Sequence, residues 1–256
     1  MKTTLSSIVI GTALVSSSSA ALLAHYKLDE AGGTIAADSS GNGLDMDWQG
    51  TVGAPDWQVA GGVSGGGFNF TGLNDDSFMT SGAISQSITL TMAVWVNTAS
   101  SANDTLVYVG NGGTNNSYYT MKIQNGVARV VARNTAQIQS GGAAVNDDNW
   151  HHVASVYVSD TERHVYVDGV LAASNTVAVS ALTANRFGIG ALTRGTGPVD
   201  EFTGMLDDVQ IYDEALDASQ ISFLHANPGQ ALVPEPSSLL LLATALGAGV
   251  TRRHRA

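Results

Sequence analysis

Asp45 and Asp47, in the run LDMDWQG, stand two residues apart beside Trp48. On a strand that spacing puts both carboxylates on one face. A retaining glycosidase needs such a pair, a nucleophile and an acid-base group roughly 5 Å apart. The four glutamates between residues 21 and 233, Glu30, Glu162, Glu201 and Glu214, form no Glu-x-Asp-x-Glu arrangement, so Asp45 and Asp47 are the best acid pair available. A solvated loop explains them better than a catalytic dyad does. His151 and His152 are adjacent on a strand-like run and face opposite sides, which favours packing over shared ligation. His25, His164 and His225 show no ligand spacing, and the chain has no Gly-x-Ser-x-Gly elbow, Walker loop or His-Glu-x-x-His motif. The chemistry-bearing residues therefore predict a protein that is not an enzyme.

Binding chemistry is better represented. The run DSSGNG, residues 38–43, offers Asp38, Asn42 and free carbonyls in a glycine-rich turn. Those are oxygen donors of the kind a hard cation such as calcium requires, although Asp38 and Asn42 can equally hold the turn by bonding to its backbone. Pyranose rings present an apolar face and many hydroxyls, so a sugar site wants an exposed aromatic beside polar groups. Trp48 and Trp57, on a Gly/Pro/Asp-rich stretch, and Tyr118 and Tyr119, after a polar loop, are the candidates, each with local packing as the alternative. Trp95 and Trp150 sit in strand-like runs and are expected in the core.

The elements that must position these residues are strands. Apolar and β-branched residues alternate in short runs bounded by turn residues, clearest in SITLTMAVWVNT (87–98), TLVYVG (105–110) and HVASVYVS (152–159). Asn125-Gly126 and Asp168-Gly169 predict two-residue hairpin turns, because both dipeptides accept positive φ. LDASQISFLHAN alone reads as a helix, with Asp217 and Gln220 spaced as a capping box and Ile221 and Leu224 on one face. So many short strands in about 200 residues imply an all-β fold of two antiparallel sheets packed face to face.

The two ends read differently. Lys2, an apolar stretch from Ile8 to Val15 and Ser18-Ser19-Ala20 make residues 1–20 a secretory signal peptide. At the other end, Pro234-Glu235-Pro236 precedes a 12-residue run, Leu239 to Val250, and then Arg252, Arg253 and Arg255. That run is short of the roughly 20 residues a lasting membrane helix needs. Residues 234–256 resemble the PEP-CTERM sorting signal of Gram-negative bacteria that make extracellular polysaccharide. The resemblance implies transient inner-membrane insertion, cutting near the triplet by an exosortase, and release to the cell surface or extracellular matrix. Between these ends the chain carries 7 basic and 21 acidic residues, a net charge of −14 against −11 for the whole sequence, and it has no cysteine. Such a field repels phosphate backbones, which excludes nucleic acid and argues against polyanions in general.

Four stretches in order, AHYKLDEAGGTIAADSSGNG (24–43), LTMAVWVNT (90–98), NWHHVASVYVSDTERHVYVDGVLAA (149–173) and FTGMLDDVQIYDEALDASQI (202–221), resemble the laminin-G-like, concanavalin A-like jelly-roll family. The resemblance implies that residues 21–226 form one jelly-roll domain, with residues 227–233 a linker to the sorting tail. It further implies that the 38–43 loop lies against the closing strand, where calcium would join Asp38 and Asn42 to Asp207 or Asp208. Neighbours on a strand face opposite ways, and Asp207 is the expected ligand of the two. The expected function is recognition of polysaccharide or matrix glycan, the alternatives being an adhesive surface protein with a protein partner and a glycoside-acting enzyme.

Overall fold

The computed structural model describes residues 21–73, 76–80, 89–134, 136–180 and 184–232; the expected signal peptide and sorting triplet lie outside them. Among the described residues two eight-stranded antiparallel sheets form a jelly-roll sandwich. The first sheet runs Val170–Asn175, Glu162–Val167, Trp150–Ser159, Leu90–Asn97, Thr203–Tyr212, Gly67–Thr71 and Trp57–Gln58, with the opening strand Leu22–Tyr26 also paired to the closing strand Thr203–Tyr212. The second runs Ala136–Ala144, Val127–Asn134, Ser117–Gln124, Asn103–Gly110, Arg186–Ile189, Phe78–Thr80, Met46–Trp48 and Ile35–Ala36. A separate small hairpin pairs Leu192–Arg194 with Gly197–Val199.

Side-chain alternation sorts each strand between the core and an outer face. In Ser117–Gln124, Tyr119, Met121 and Ile123 enter the space between the sheets, while Tyr118 belongs to a small outer cluster with Tyr108, Val131 and Leu192. Phe68 sits in the middle of the core, its ring centroid 4.9 Å from Trp57, 4.7 Å from Phe70 and 4.8 Å from Phe78. Tyr119 stacks on Tyr157 at 4.4 Å. Both expected hairpins are present: Asn125 and Gly126 have φ of 54° and 74°, Asp168 and Gly169 of 50° and 78°.

The helix α1, Ala218–Ala226, begins at the expected capping box of Asp217 and Gln220. It buries Ile221 and Leu224 against Ala93, Ala154 and Tyr212 on the outer face of the first sheet. His225 stacks on Trp95 at 5.5 Å, and His152 packs against the same ring at 5.4 Å. Burial pushes His152 down to about 4, so it is a neutral packing residue at neutral pH. Trp95 is buried and Trp150 half-buried.

The closing strand is interrupted by a bulge between Asp207 and Gln210, with Asp208 at φ 51°. There the Asp208 carboxylate faces His25 Nε2 at 2.6 Å and accepts from Gln210 Nε2 at 2.9 Å and the Gly229 amide at 2.7 Å. Burial opposes its ionisation, yet these donors outweigh burial and hold it below the usual carboxylate range. Gln210 also donates to the Gln230 carbonyl, and the Leu232 amide donates to the Tyr212 hydroxyl. The stretch expected as a linker is thus tied to the closing strand as far as Leu232. Replacing Asp208 by Ala strands several buried donors at once and should cost about 3 kcal/mol in urea unfolding. Loss below about 1 kcal/mol would show that Asp208 does not hold the two ends of the domain.

Candidate functional site

The outer face of the second sheet carries a polar concavity. Cross-strand register sets Arg129 opposite Lys122, Val131 opposite Thr120 and Arg133 opposite Tyr118, so alternate residues of these strands share that face. A cavity of about 420 Å³ opens there, with Lys122, Arg133, Arg194, Asn103, Gln124 and Asp200 in its wall and Tyr118 in its floor. The hairpin bearing Arg194 covers one side through Leu192 and Val199. Asp200 is held on both oxygens, by Asn103 Nδ2 at 2.7 Å and Lys122 Nζ at 2.9 Å. Among the described residues, Arg133 makes only a long contact with the Tyr118 hydroxyl, 3.5 Å. The wall is therefore built of directional donors and acceptors, the groups that match vicinal hydroxyls.

A second concavity, about 440 Å³, adjoins Trp48, Pro55, Asp56, Leu73 and Asp76. The Trp48 indole donates to Asp76 Oδ1 at 2.8 Å, and Gly50 lies so flat on its ring that a Cβ there would come within 1.9 Å. Trp48 is half-buried with one side occupied. Trp57 packs on Phe68 and Phe78 and donates to the Gly33 carbonyl at 2.8 Å, a local packing role. Tyr119 is a core residue at 1% exposure, and Tyr118, at 5%, presents little ring to solvent. The expectation of exposed tyrosines is corrected: both lie on the strand Ser117–Gln124, where alternation turns Tyr119 into the core and Tyr118 into the outer cluster covered by Leu192.

Asp38 is spent on its turn, accepting from the amides of His25, Ser40 and Leu44 at 2.9 to 3.0 Å. Asn42 donates to the carbonyls of Leu22 and Leu23. Asp45 accepts from the Asp38 amide, and both Asp45 and Asp47 are exposed. Asp207 turns elsewhere, to the loop Gly61–Gly67, where its Oδ2 accepts from the Ser64 amide at 3.0 Å. Asp29 reaches the same loop and accepts from the Gly66 amide at 2.6 Å. Asp38, Asn42 and Asp207 are not one ligand set, and no group of three or more His, Cys, Asp or Glu is arranged for a metal among the described residues. Asp207 nonetheless has a buried Oδ1 with no partner, and burial pushes its carboxyl up to about 7. An unmatched buried oxygen at a glycine loop is a donor that a hard cation would use, with its other oxygens drawn from carbonyls and water.

A family model described as the concanavalin A-like lectin/glucanases superfamily matches residues 70–222, and one described as the PEP-CTERM protein-sorting motif matches residues 232–256. No curated protein matches the sequence. Among solved structures, domain 4 of AbnA, a GH43 extracellular arabinanase from Geobacillus stearothermophilus, in complex with arabinotriose, has a TM-score of 0.62 at 21% identity, covering 81% of this chain and 99% of that one. The binding domain of Paraclostridial Mosquitocidal Protein 1 gives 0.56 at 15% identity, covering 80% of this chain and 51% of that one. A native heptameric SAP-like pentraxin from Limulus polyphemus gives 0.54 at 16%, covering 65% and 86%. At these identities the likeness is one of fold.

The Asp207 environment has a pH signature. Its folded pKa is raised from 3.8 to about 7, so metal-free protein favours the protonated form and loses stability as pH rises through about 7. Asp207→Asn, which cannot ionise, should remove that loss. Melting curves in chelator at pH 5.5 and pH 8.5 test this, and an identical pH dependence in wild type and variant would refute it.

Proposed function

We propose that this chain, which belongs to the concanavalin A-like lectin/glucanases superfamily, is an exported, non-catalytic module that binds polysaccharide or matrix glycan. The outer-face cleft of the second sheet carries the reading, because its wall places Asn103, Gln124, Arg133 and Arg194 around one cavity of about 420 Å³. That volume suits one or two sugar residues. The resemblance of the fold to an arabinanase domain solved with arabinotriose supports a sugar ligand in kind, not in identity.

The match to the PEP-CTERM motif supports export from a Gram-negative bacterium. On this reading the signal peptide directs secretion, the tail inserts transiently in the inner membrane, and an exosortase acts near Pro234, Glu235 and Pro236. The domain then works at the cell surface or in the extracellular matrix. No helix among the described residues is long and apolar enough to cross a membrane. We further propose a structural calcium ion at Asp207, with Asp29 and the Gly61–Gly67 loop beside it. Such an ion would supply the positive counter-charge that the buried carboxylate lacks, and it would fix the loop against the closing strand.

One experiment tests both parts: a polysaccharide-binding screen of the secreted protein, with calcium and again with chelator, alongside melting curves. The expected result is retention on at least one polymer class, lost in Asn103→Ala and Gln124→Ala, and a melting temperature that rises with calcium in wild type but not in Asp207→Asn. Silence across the panel would overturn glycan binding and favour an adhesive protein with a protein partner. A calcium-insensitive melting temperature would remove the ion, and release of reducing sugar would overturn the non-catalytic assignment.

A further inference from the structure

Between residues 21 and 233 the chain has seven cationic side chains, Lys27, Lys122, Arg129, Arg133, Arg163, Arg186 and Arg194. Five of them, all but Lys27 and Arg163, stand on the second sheet or on the hairpin that covers its outer face. In a domain with 21 acidic residues, that segregation runs against the overall charge. It also is not used up in ion pairs. Lys122 is neutralised by Asp200 at 2.9 Å. Arg186 packs against Gly112, where a Cβ would meet its guanidinium at 2.0 Å, and bonds to the Tyr108 hydroxyl. Arg129, Arg133 and Arg194 have no carboxylate within ion-pair distance among the described residues, and the Nε of each is buried without a partner.

Unpaired guanidinium N–H groups shielded from water are costly unless something accepts from them. A neutral sugar could accept, but its hydroxyls would be met as well by the Asn103 and Gln124 amides that share the wall. A planar guanidinium fork adds what an amide lacks, a full positive charge and two parallel donors matched to a carboxylate. Resting on the glycan-binding reading above, we infer that the ligand of this cleft is an acidic polysaccharide whose sugar carries a carboxylate, taken by Arg133 and Arg194. Arg129 stands beside them on the same face and extends the positive track along the chain of a polymer.

The test measures binding of the full secreted protein to polygalacturonate, to its carboxyl-reduced neutral form and to a sulfated dextran. Polygalacturonate should bind at least about tenfold more tightly than the reduced polymer, and Arg133→Gln and Arg194→Gln should each weaken it by about tenfold with unchanged melting temperature. Arg133→Lys keeps the charge without the fork and should recover only part of the loss. Equal binding of the acidic and reduced polymers, or wild-type binding by both glutamine variants, would overturn the inference while leaving the cleft a glycan site. Preference for the sulfated polymer would overturn the carboxylate assignment. Binding to none of the polymers, neutral forms included, would take the glycan reading down with it.

Discussion

The bulge in the closing strand is the constraint on which the rest of the domain depends. A regular strand would send Asp207 and Asp208 to opposite faces; the left-handed backbone at Asp208 instead lets both carboxylates be buried, each with its own set of donors. Asp208 gathers the opening strand through His25, its own strand through Gln210 and the C-terminal segment through Gly229. Asp207 gathers the glycine loop through Ser64. Two adjacent residues thereby fasten four segments far apart in sequence. Their opposite pKa shifts have different causes: burial and the neighbouring Asp208 charge raise Asp207, whereas the bonds from His25, Gln210 and Gly229 outweigh burial at Asp208.

That fastening lies on the first sheet, away from the outer face of the second. The separation matters physically, because a binding surface must be allowed unpaired polar groups that a core cannot tolerate. The core between the sheets is apolar and aromatic, with Phe68 ringed by Trp57, Phe70 and Phe78, and it sets the spacing of the sheets. The second sheet can then carry arginines on its outer face without loss of packing inside. Alternation does the sorting, one side chain inward and the next outward, along Ser117–Gln124 and Val127–Asn134.

Fold and turns were legible in the sequence because they depend on local patterns. Asn125-Gly126, Asp168-Gly169 and the Asp217–Gln220 capping box each act within four residues, and each stands as read. The site was less legible because it depends on which strands become neighbours. The two-residue turn at Asn125-Gly126 sets Tyr118 opposite Arg133, but nothing local indicates that the hairpin bearing Arg194 folds over both. Summed charge concealed the cluster, since −14 describes the chain and not a face of it. An available signal was the spacing of Arg129, Val131 and Arg133 on a strand beginning at a recognised turn. Composition also could not show how the acidic loop spends its groups: both Asp38 oxygens accept within the turn or from His25, and Asn42 donates to Leu22 and Leu23 of the opening strand.

The apparent conflict between an acidic protein and an acidic ligand is resolved by length scale. At physiological ionic strength the Debye length is about 8 Å, so carboxylates elsewhere on the domain are largely screened at the cleft. Arg133 and Arg194 act at contact, partly shielded from water, where screening is weak and directional bonds form. Lys122 adds little, because Asp200 already cancels it, and that cancellation keeps the positive charge confined to the guanidinium forks. On the proposed reading, bulk charge would keep the protein apart from indiscriminate polyanions, and the local cluster would admit those whose acidic groups can enter the cavity. Net charge and binding preference thus answer to different distances, and only the shorter one is set by the fold.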